Sequence, residues 1–175
     1  MRSARALGAF GLTEPDGGSD AGATRTSAVL DGDEWVINGQ KVWTTLAHKS
    51  DYGLVVARTD PDQVKHAGIS MFIVPLDAPG VEIRPIHQID GGSEFNEVFM
   101  TDVRVPDGAI FGGEGRGLQI VQHFFNENRI RQAASSLGAA QFCIDESVKY
   151  AKERKPFGKP LATNQAIQFP LVELQ

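Results

Sequence analysis

Cysteine is nearly absent from this 175-residue chain, with Cys143 its single example. One thiol excludes an intrachain disulfide framework and any multi-cysteine zinc or iron–sulfur site, and it fits a reducing compartment. Cys143 itself is expected to be a small buried hydrophobe. Long apolar runs are missing too. None approaches the roughly 20 residues that a bilayer span requires, and Met1-Arg2-Ser3-Ala4-Arg5-Ala6-Leu7 lacks the apolar stretch of a secretory signal. A cytoplasmic protein with no membrane span is the expectation. There is also no excess of positive charge: 17 Lys+Arg against 22 Asp+Glu give a net charge of -5. That argues against a broad nucleic-acid face while leaving room for local basic pockets that take small anions. The four histidines, His48, His66, His87 and His123, share no metal-ligand spacing, so no metal site is expected.

What is present is a globular composition, 41% hydrophobic with 19 Gly and 9 Pro, in a chain long enough to bury a real core. Two halves differ in period. The segments 24–30, 34–38, 41–45, 53–58, 69–76, 80–86 and 96–105 are rich in Val, Ile, Thr, Phe and Trp, and read as short strands separated by turns. Asp31-Gly32-Asp33 and Asn38-Gly39 accept positive φ, which predicts three antiparallel strands joined by tight hairpins between Thr26 and Thr45. After the glycine cluster Gly112 to Gly117, residues Leu118, Val121, Phe125, Ile130, Ala133, Leu137, Ala140, Ile144, Val148 and Ala151 follow a 3.6-residue stripe. One helix over about 117–154, roughly 55 Å long, is predicted, stopped by Lys155-Pro156-Phe157-Gly158. Leu161 to Gln175 reads as the start of a second, antiparallel helix whose apolar pattern continues to the last residue. The fold class is α+β: an antiparallel β-sandwich or barrel domain over 1–112, followed over 113–175 by a long helix from a truncated helical bundle.

The most unusual stretch is Leu12-Thr13-Glu14-Pro15-Asp16-Gly17-Gly18-Ser19-Asp20, a strand running into a Gly-rich turn. The N–H groups of Gly17, Gly18 and Ser19, with the Ser19 hydroxyl, form a candidate anion nest suited to phosphate, set against an ordinary surface turn. Gly17-Gly18-Ser19-Asp20-Ala21 nearly fits a hydrolase elbow, but strand-like residues follow the serine where that motif needs a helix. Trp43-Thr44-Thr45 sets an indole beside two hydroxyls and suits one wall of a flat aromatic cofactor, with core packing as the plainer alternative. The glycine cluster is out of register with G-x-G-x-x-G and reads as a hinge and helix start. Arg154 either answers the helix dipole or clamps a phosphate. Asn126-Glu127-Asn128-Arg129 is polar within an apolar stripe, either a ligand-facing patch or an exposed face.

Thr13-Glu14-Pro15 with Gly18-Ser19-Asp20, then Trp35 to Thr45, then Arg154-Lys155-Pro156-Phe157-Gly158 resemble the acyl-CoA dehydrogenase family in order and spacing. Asp102 to Pro106 and Asn164-Gln165-Ala166-Ile167 fit it as well. The likeness covers the middle β domain and the start of the C-terminal helical domain, so a fragment is implied. The resemblance implies FAD as cofactor. Phe10, Leu12 and Thr13 would run along the flavin, Thr13 at its pyrimidine edge, and Ser19 would reach phosphate. Trp43, Thr44 and Thr45 would flank the isoalloxazine, while Arg154, Phe157 and Gln165 would reach FAD held by a neighbouring subunit of a dimer or tetramer. Ser19, Asn126 and Arg129 would contact the acyl-CoA substrate.

The reaction so implied, part of fatty acid metabolism, removes two hydrogens across Cα–Cβ of an acyl-CoA. A carboxylate takes the α-proton and the flavin takes the β-hydrogen as hydride, with an electron-transfer flavoprotein as acceptor. Most members carry that base in later helices, and a minority immediately before the arginine matched by Arg129. Asn128 stands there and cannot act as a base, and Glu127 is displaced by about 100° around a helix. The base is therefore expected outside the chain, with Glu127 the candidate within it. A flavin oxidase or monooxygenase of the same fold, and a non-catalytic β-sandwich assembly module, are the alternatives.

Overall fold

The computed structural model describes residues 6–175 and divides into two compact units, one ending at Gln122 and the other running from His123 to Gln175. The first unit holds seven strands, β1 (Gly8–Gly11), β2 (Ser27–Asp31), β3 (Glu34–Thr45), β4 (Tyr52–Arg58), β5 (Ile69–Pro75), β6 (Val81–Ile86) and β7 (Phe95–Pro106). They form one curled sheet in the order β1-β4-β2-β3-β7-β6, with β5 on the other side of β4. Most neighbours are antiparallel. β1 and the single Ser27–Arg58 bridge of β2 run parallel to β4 and share one of its edges, so the sheet is mixed.

Alternation along the central strands packs one face. Ala28, Trp35, Ile37, Val55, Ala57, Phe72, Val74, Met100, Val103 and Val105 form the main core. Burying apolar surface at about 25 cal/mol per Å² makes this cluster the main source of stability. Trp35 is edge-on to Phe72 with centroids 5.3 Å apart, and its indole N–H donates to Asp107 Oδ1 at 2.9 Å, so its polar end is satisfied.

The predicted hairpin at Asp31-Gly32-Asp33 is present, since Asp31 pairs with Glu34. The one at Asn38-Gly39 is not: β3 continues through it as a single twelve-residue strand. The reason lies 64 residues away, at Asp102. β7 pairs with both halves of β3, and the register moves from Ile37–Val103 to Gly39–Met100, leaving an extra residue on β7. Asp102 absorbs it at φ 50°, its N–H donating to Asn38 Oδ1 at 2.8 Å while Asn38 Nδ2 donates to Asp102 Oδ1 at 3.0 Å. Asn38-Gly39 faces a bulge, and its turn-forming residues serve that bulge in place of a reversal. Gly39 has φ 152°, and a Cβ there would lie 2.5 Å from Thr26 Oγ1.

Helix α1 (Gly117–Glu153) matches the predicted span closely. Its first residue approaches β5 so tightly that a Cβ on Gly117 would sit 2.8 Å from the Ser70 carbonyl carbon. In the second unit, α2 (Gln165–Glu173) begins at an Asn164 cap whose side chain accepts from the Ala166 N–H. Leu171 and Leu174 lie beside Ala140 and Ile144, and Leu161 beside Tyr150 and Ala151, so α2 runs back along α1. Only part of the predicted apolar stripe is covered: Ile144 and Ala151 are buried, but Ile130 and Leu137 are 74% and 72% exposed. Cys143 is exposed, contrary to the expectation of burial; the covered position on that stretch of α1 is its neighbour Ile144. Among the described residues no helix is long and apolar enough to cross a membrane.

Gly39→Ala should lower unfolding free energy by about 2–4 kcal/mol, because both φ and the Thr26 contact oppose a side chain. Gly32→Ala, at φ 70° with open space around it, should cost only about 1 kcal/mol. Urea unfolding of the two variants side by side measures the difference.

Candidate functional site

Glu14 and Lys41 form an ion pair inside the β unit, with Lys41 Nζ 2.7 Å from Glu14 Oε1 and its side chain fully buried. All three ammonium protons have acceptors: Glu14 Oε1, Thr24 Oγ1 at 2.9 Å and the Leu12 carbonyl at 3.3 Å. Glu14 in turn accepts from Thr24 Oγ1 at 2.6 Å, Arg25 N at 2.7 Å and Thr26 N at 2.9 Å. Burial pushes the Glu14 carboxyl up, but the Lys41 charge and the hydrogen bonds from Lys41, Thr24 and Thr26 outweigh it and hold the group at about 2. Burial pulls Lys41 down to about 8, with Glu14 opposing that shift.

This pair fixes the chain on both sides of the residues expected at a cofactor. Leu12 and Thr13, both half-buried, follow β1, where Phe10 is half-buried opposite Leu54. The Val42 N–H donates to the Thr13 carbonyl at 2.9 Å, which joins the 12–13 segment to β3. Val42 is free to do so because β3 carries a second bulge here, its register with β7 moving from Lys41–Val98 to Thr44–Asn96. Trp43 sits in that bulge at φ 59°, a left-handed conformation costly for a bulky residue, and its indole is 55% exposed. Core packing is therefore not its role. Its one ring neighbour among the described residues is Phe95, perpendicular to it at 6.0 Å. Thr45 is exposed, while Thr44 is buried with its Oγ1 unpartnered. Asn96, fully buried, anchors the bulge by donating to the Thr44 carbonyl at 2.9 Å, and its Oδ1 meets His48 Nδ1 at 2.9 Å.

The Gly-rich turn differs in one respect from the expected anion nest. The Gly17 N–H donates to the Glu14 carbonyl at 3.1 Å and is not available to a ligand. Gly18 and Ser19 remain exposed at the tip. The turn is held by Arg25–Asp16 at 2.8 Å and by Lys65–Asp20. A short 3-10 turn over Ala21–Ala23 follows the serine, not the helix of a hydrolase elbow.

The other expected site residues belong to the second unit. On α1, Arg129 Nη1 donates to Asn126 Oδ1 at 3.0 Å, and the guanidinium lies 5.5 Å from the Phe125 ring centroid. Asn128 accepts from Arg131, and Glu127 is exposed. Arg154 is exposed and Phe157 wholly so, at φ 56°, in the turn between the helices; Gln165 opens α2. Glu14 and Lys41 escaped prediction as functional residues. The available signal was a lone lysine between the strand residues Ile37 and Trp43, on the same face as Ile37 and Trp35. Among the described residues no cluster of His, Cys, Asp or Glu is placed to hold a metal ion.

A buried charge pair two residues along β3 from an exposed, strained tryptophan, on a curled sheet followed by a long helix, marks a β unit joined to a helical one. Family models match both parts: the acyl-CoA dehydrogenase middle domain over residues 9–103 and the C-terminal domain over 115–175. The chain belongs to the acyl-CoA dehydrogenase family. It is 43% identical over 176 residues to "Probable acyl-CoA dehydrogenase YngJ" of Bacillus subtilis (strain 168), covering 99% of this chain and 46% of that protein. It is 40% identical over 171 residues to the human mitochondrial short-chain specific acyl-CoA dehydrogenase, covering 96% and 41%. A glutaryl-CoA dehydrogenase from Mycobacterium smegmatis, solved in complex with FADH2, superposes with a TM-score of 0.85 at 36% identity, covering 96% of this chain and 43% of that one. The chain thus spans less than half the length of these relatives.

The depressed Glu14 carboxyl gives a signed pH dependence. Because the folded state binds this proton less readily than the unfolded state, its stabilisation is complete above about pH 4.5 and disappears as the pH falls toward 2. The span corresponds to roughly 3 kcal/mol. Urea midpoints measured across this range should fall steeply in the parent protein and less steeply in Glu14→Gln.

Proposed function

We propose that this chain supplies the flavin-facing wall of an FAD-dependent acyl-CoA dehydrogenase. The observation that carries the reading is Trp43, an indole held in a strained bulge, exposed, and tied through Val42 to the Thr13 segment. An exposed aromatic face, with Thr45 two residues along the strand and Thr13 on the segment bonded to Val42, suits a flat heteroaromatic ring with acceptors on its rim. Leu12 and Phe10 offer apolar contact along the same wall, and exposed Ser19 offers a hydroxyl for phosphate. The orphaned Thr44 hydroxyl lies beneath this surface.

FAD, when bound, supplies the two-electron redox chemistry of α,β-dehydrogenation. The chain's own residues bind and orient. Ser19, Asn126 and Arg129 take the acyl-CoA, and Arg154, Phe157 and Gln165 serve FAD held by a neighbouring copy in a dimer or tetramer. Phe157, wholly exposed at positive φ, is available to such a partner. The carboxylate that removes the α-proton comes from residues outside these 175, since Asn128 has no basic oxygen and Glu127 is one position away on the helix. An electron-transfer flavoprotein is the proposed acceptor.

FAD titration followed by flavin fluorescence tests the cofactor reading. Trp43→Ala and Thr13→Val should each raise the dissociation constant by about tenfold, the loss of one stacking or hydrogen-bonding contact. A protein that takes up no flavin would instead favour an assembly module. With an acyl-CoA and an artificial dye, the 175-residue protein should give no reduction. Dye reduction that Glu127→Gln abolishes would assign the base to Glu127, and rapid reoxidation by oxygen would favour an oxidase.

A further inference from the structure

Lys41 has a role that stability alone does not explain. A buried ion pair is weak as a stabilising device, because an apolar pair of similar volume is often as stable or more so. What an apolar residue at position 41 cannot do is hold the Leu12 carbonyl. The Lys41 ammonium reaches it at 3.3 Å while anchored on its other sides by Glu14 at 2.7 Å and Thr24 at 2.9 Å. Glu14 is itself fixed by the N–H groups of Arg25 and Thr26. One residue further along β3, Val42 holds the Thr13 carbonyl, and Trp43 follows in the bulge. Two successive carbonyls of one segment are thereby pinned to two successive residues of another.

We propose that Lys41 is a positioning residue: held by Glu14 and Thr24, it sets Leu12 and Thr13 in place against Trp43 and so fixes the shape of the flavin-facing wall. This rests on the flavin reading above. Small errors of placement matter in such a site, where a shift of about 1 Å costs on the order of a hundredfold in rate.

The test separates position from stability. Lys41→Met alone leaves the Glu14 anion without its counter-charge and should lower the melting temperature. The double variant Lys41→Met/Glu14→Gln removes both charges and should recover much of that loss. In the double variant the FAD dissociation constant should nevertheless stay about tenfold above that of the parent. The bound flavin's absorbance should lose fine structure, and the Val42 amide should exchange faster, while amides of the β4–β5 pair keep their protection. Val103→Ala, a core truncation away from the clamp, provides the comparison for Lys41→Met at matched loss of melting temperature, and it should retain both FAD affinity and Val42 protection. A double variant that binds FAD and protects Val42 as the parent does overturns the proposal, as does equal loss in Lys41→Met and Val103→Ala. If the parent protein takes up no FAD, the flavin reading fails on its own. The clamp is then decided by Val42 exchange in the same variants.

Discussion

Lys41 carries a charge into the interior of the β unit, and the surrounding chain is arranged so that each of its protons has an acceptor. An ammonium placed there without Glu14 would cost about 3–5 kcal/mol, enough to threaten a marginally stable domain. Satisfying it recruits three separate stretches: the 12–14 segment, the approach to β2 at 24–26, and β3, where the Val42 and Thr13 bond reaches the start of the bulge. The Gly-rich turn is shaped by the same constraint, since the two Glu14–Gly17 backbone bonds that close it use up the Gly17 N–H. The ion pair therefore links the core to the loop and to the exposed tryptophan.

The two bulges give β3 a surface that regular pairing would not provide. Asp102 adds a residue on β7 and Trp43 lies where one is added on β3, so the strand gains a local twist at each point. Trp43 and Asp102 both occupy positive φ, and both are held by side-chain amides nearby, Asn96 under the first and Asn38 beside the second. Strain at Trp43 is compensated by buried hydrogen bonds beneath it. That is how an indole remains exposed on the rim of an apolar sheet without collapsing into the core.

The second unit presents a different balance. Ile130, Leu137, Phe142, Phe169 and Val172 are all exposed, and Arg154, Phe157 and Gln165, which we propose serve a neighbouring copy, are exposed as well. The chain spans less than half the length of its relatives, and its helices carry more apolar pattern than they bury. Cys143 shares this exposure, against the burial its residue type predicts.

The sequence by itself determined the element types, the long helix to within a residue at its end, the first hairpin, and a motif set specific enough to imply the family. These are local properties: periodicity, Gly and Asn conformational range, and short motifs with fixed spacing. Asn38-Gly39 shows the limit, because the residues that make a tight turn also suit a bulge, and only pairing with β7 decides between them. Trp43 shows it again, since alternation places a strand tryptophan in the core, and the extra residue opposite Asn96 and Val98 turns it outward. The Lys41–Glu14 pair was invisible for a related reason. Its partners are 27 residues apart, and nothing in either segment states that the other will be close enough to neutralise a buried charge. Tertiary structure settled that point, because the cost of burying an ion depends on what surrounds it in space and not on its neighbours along the chain.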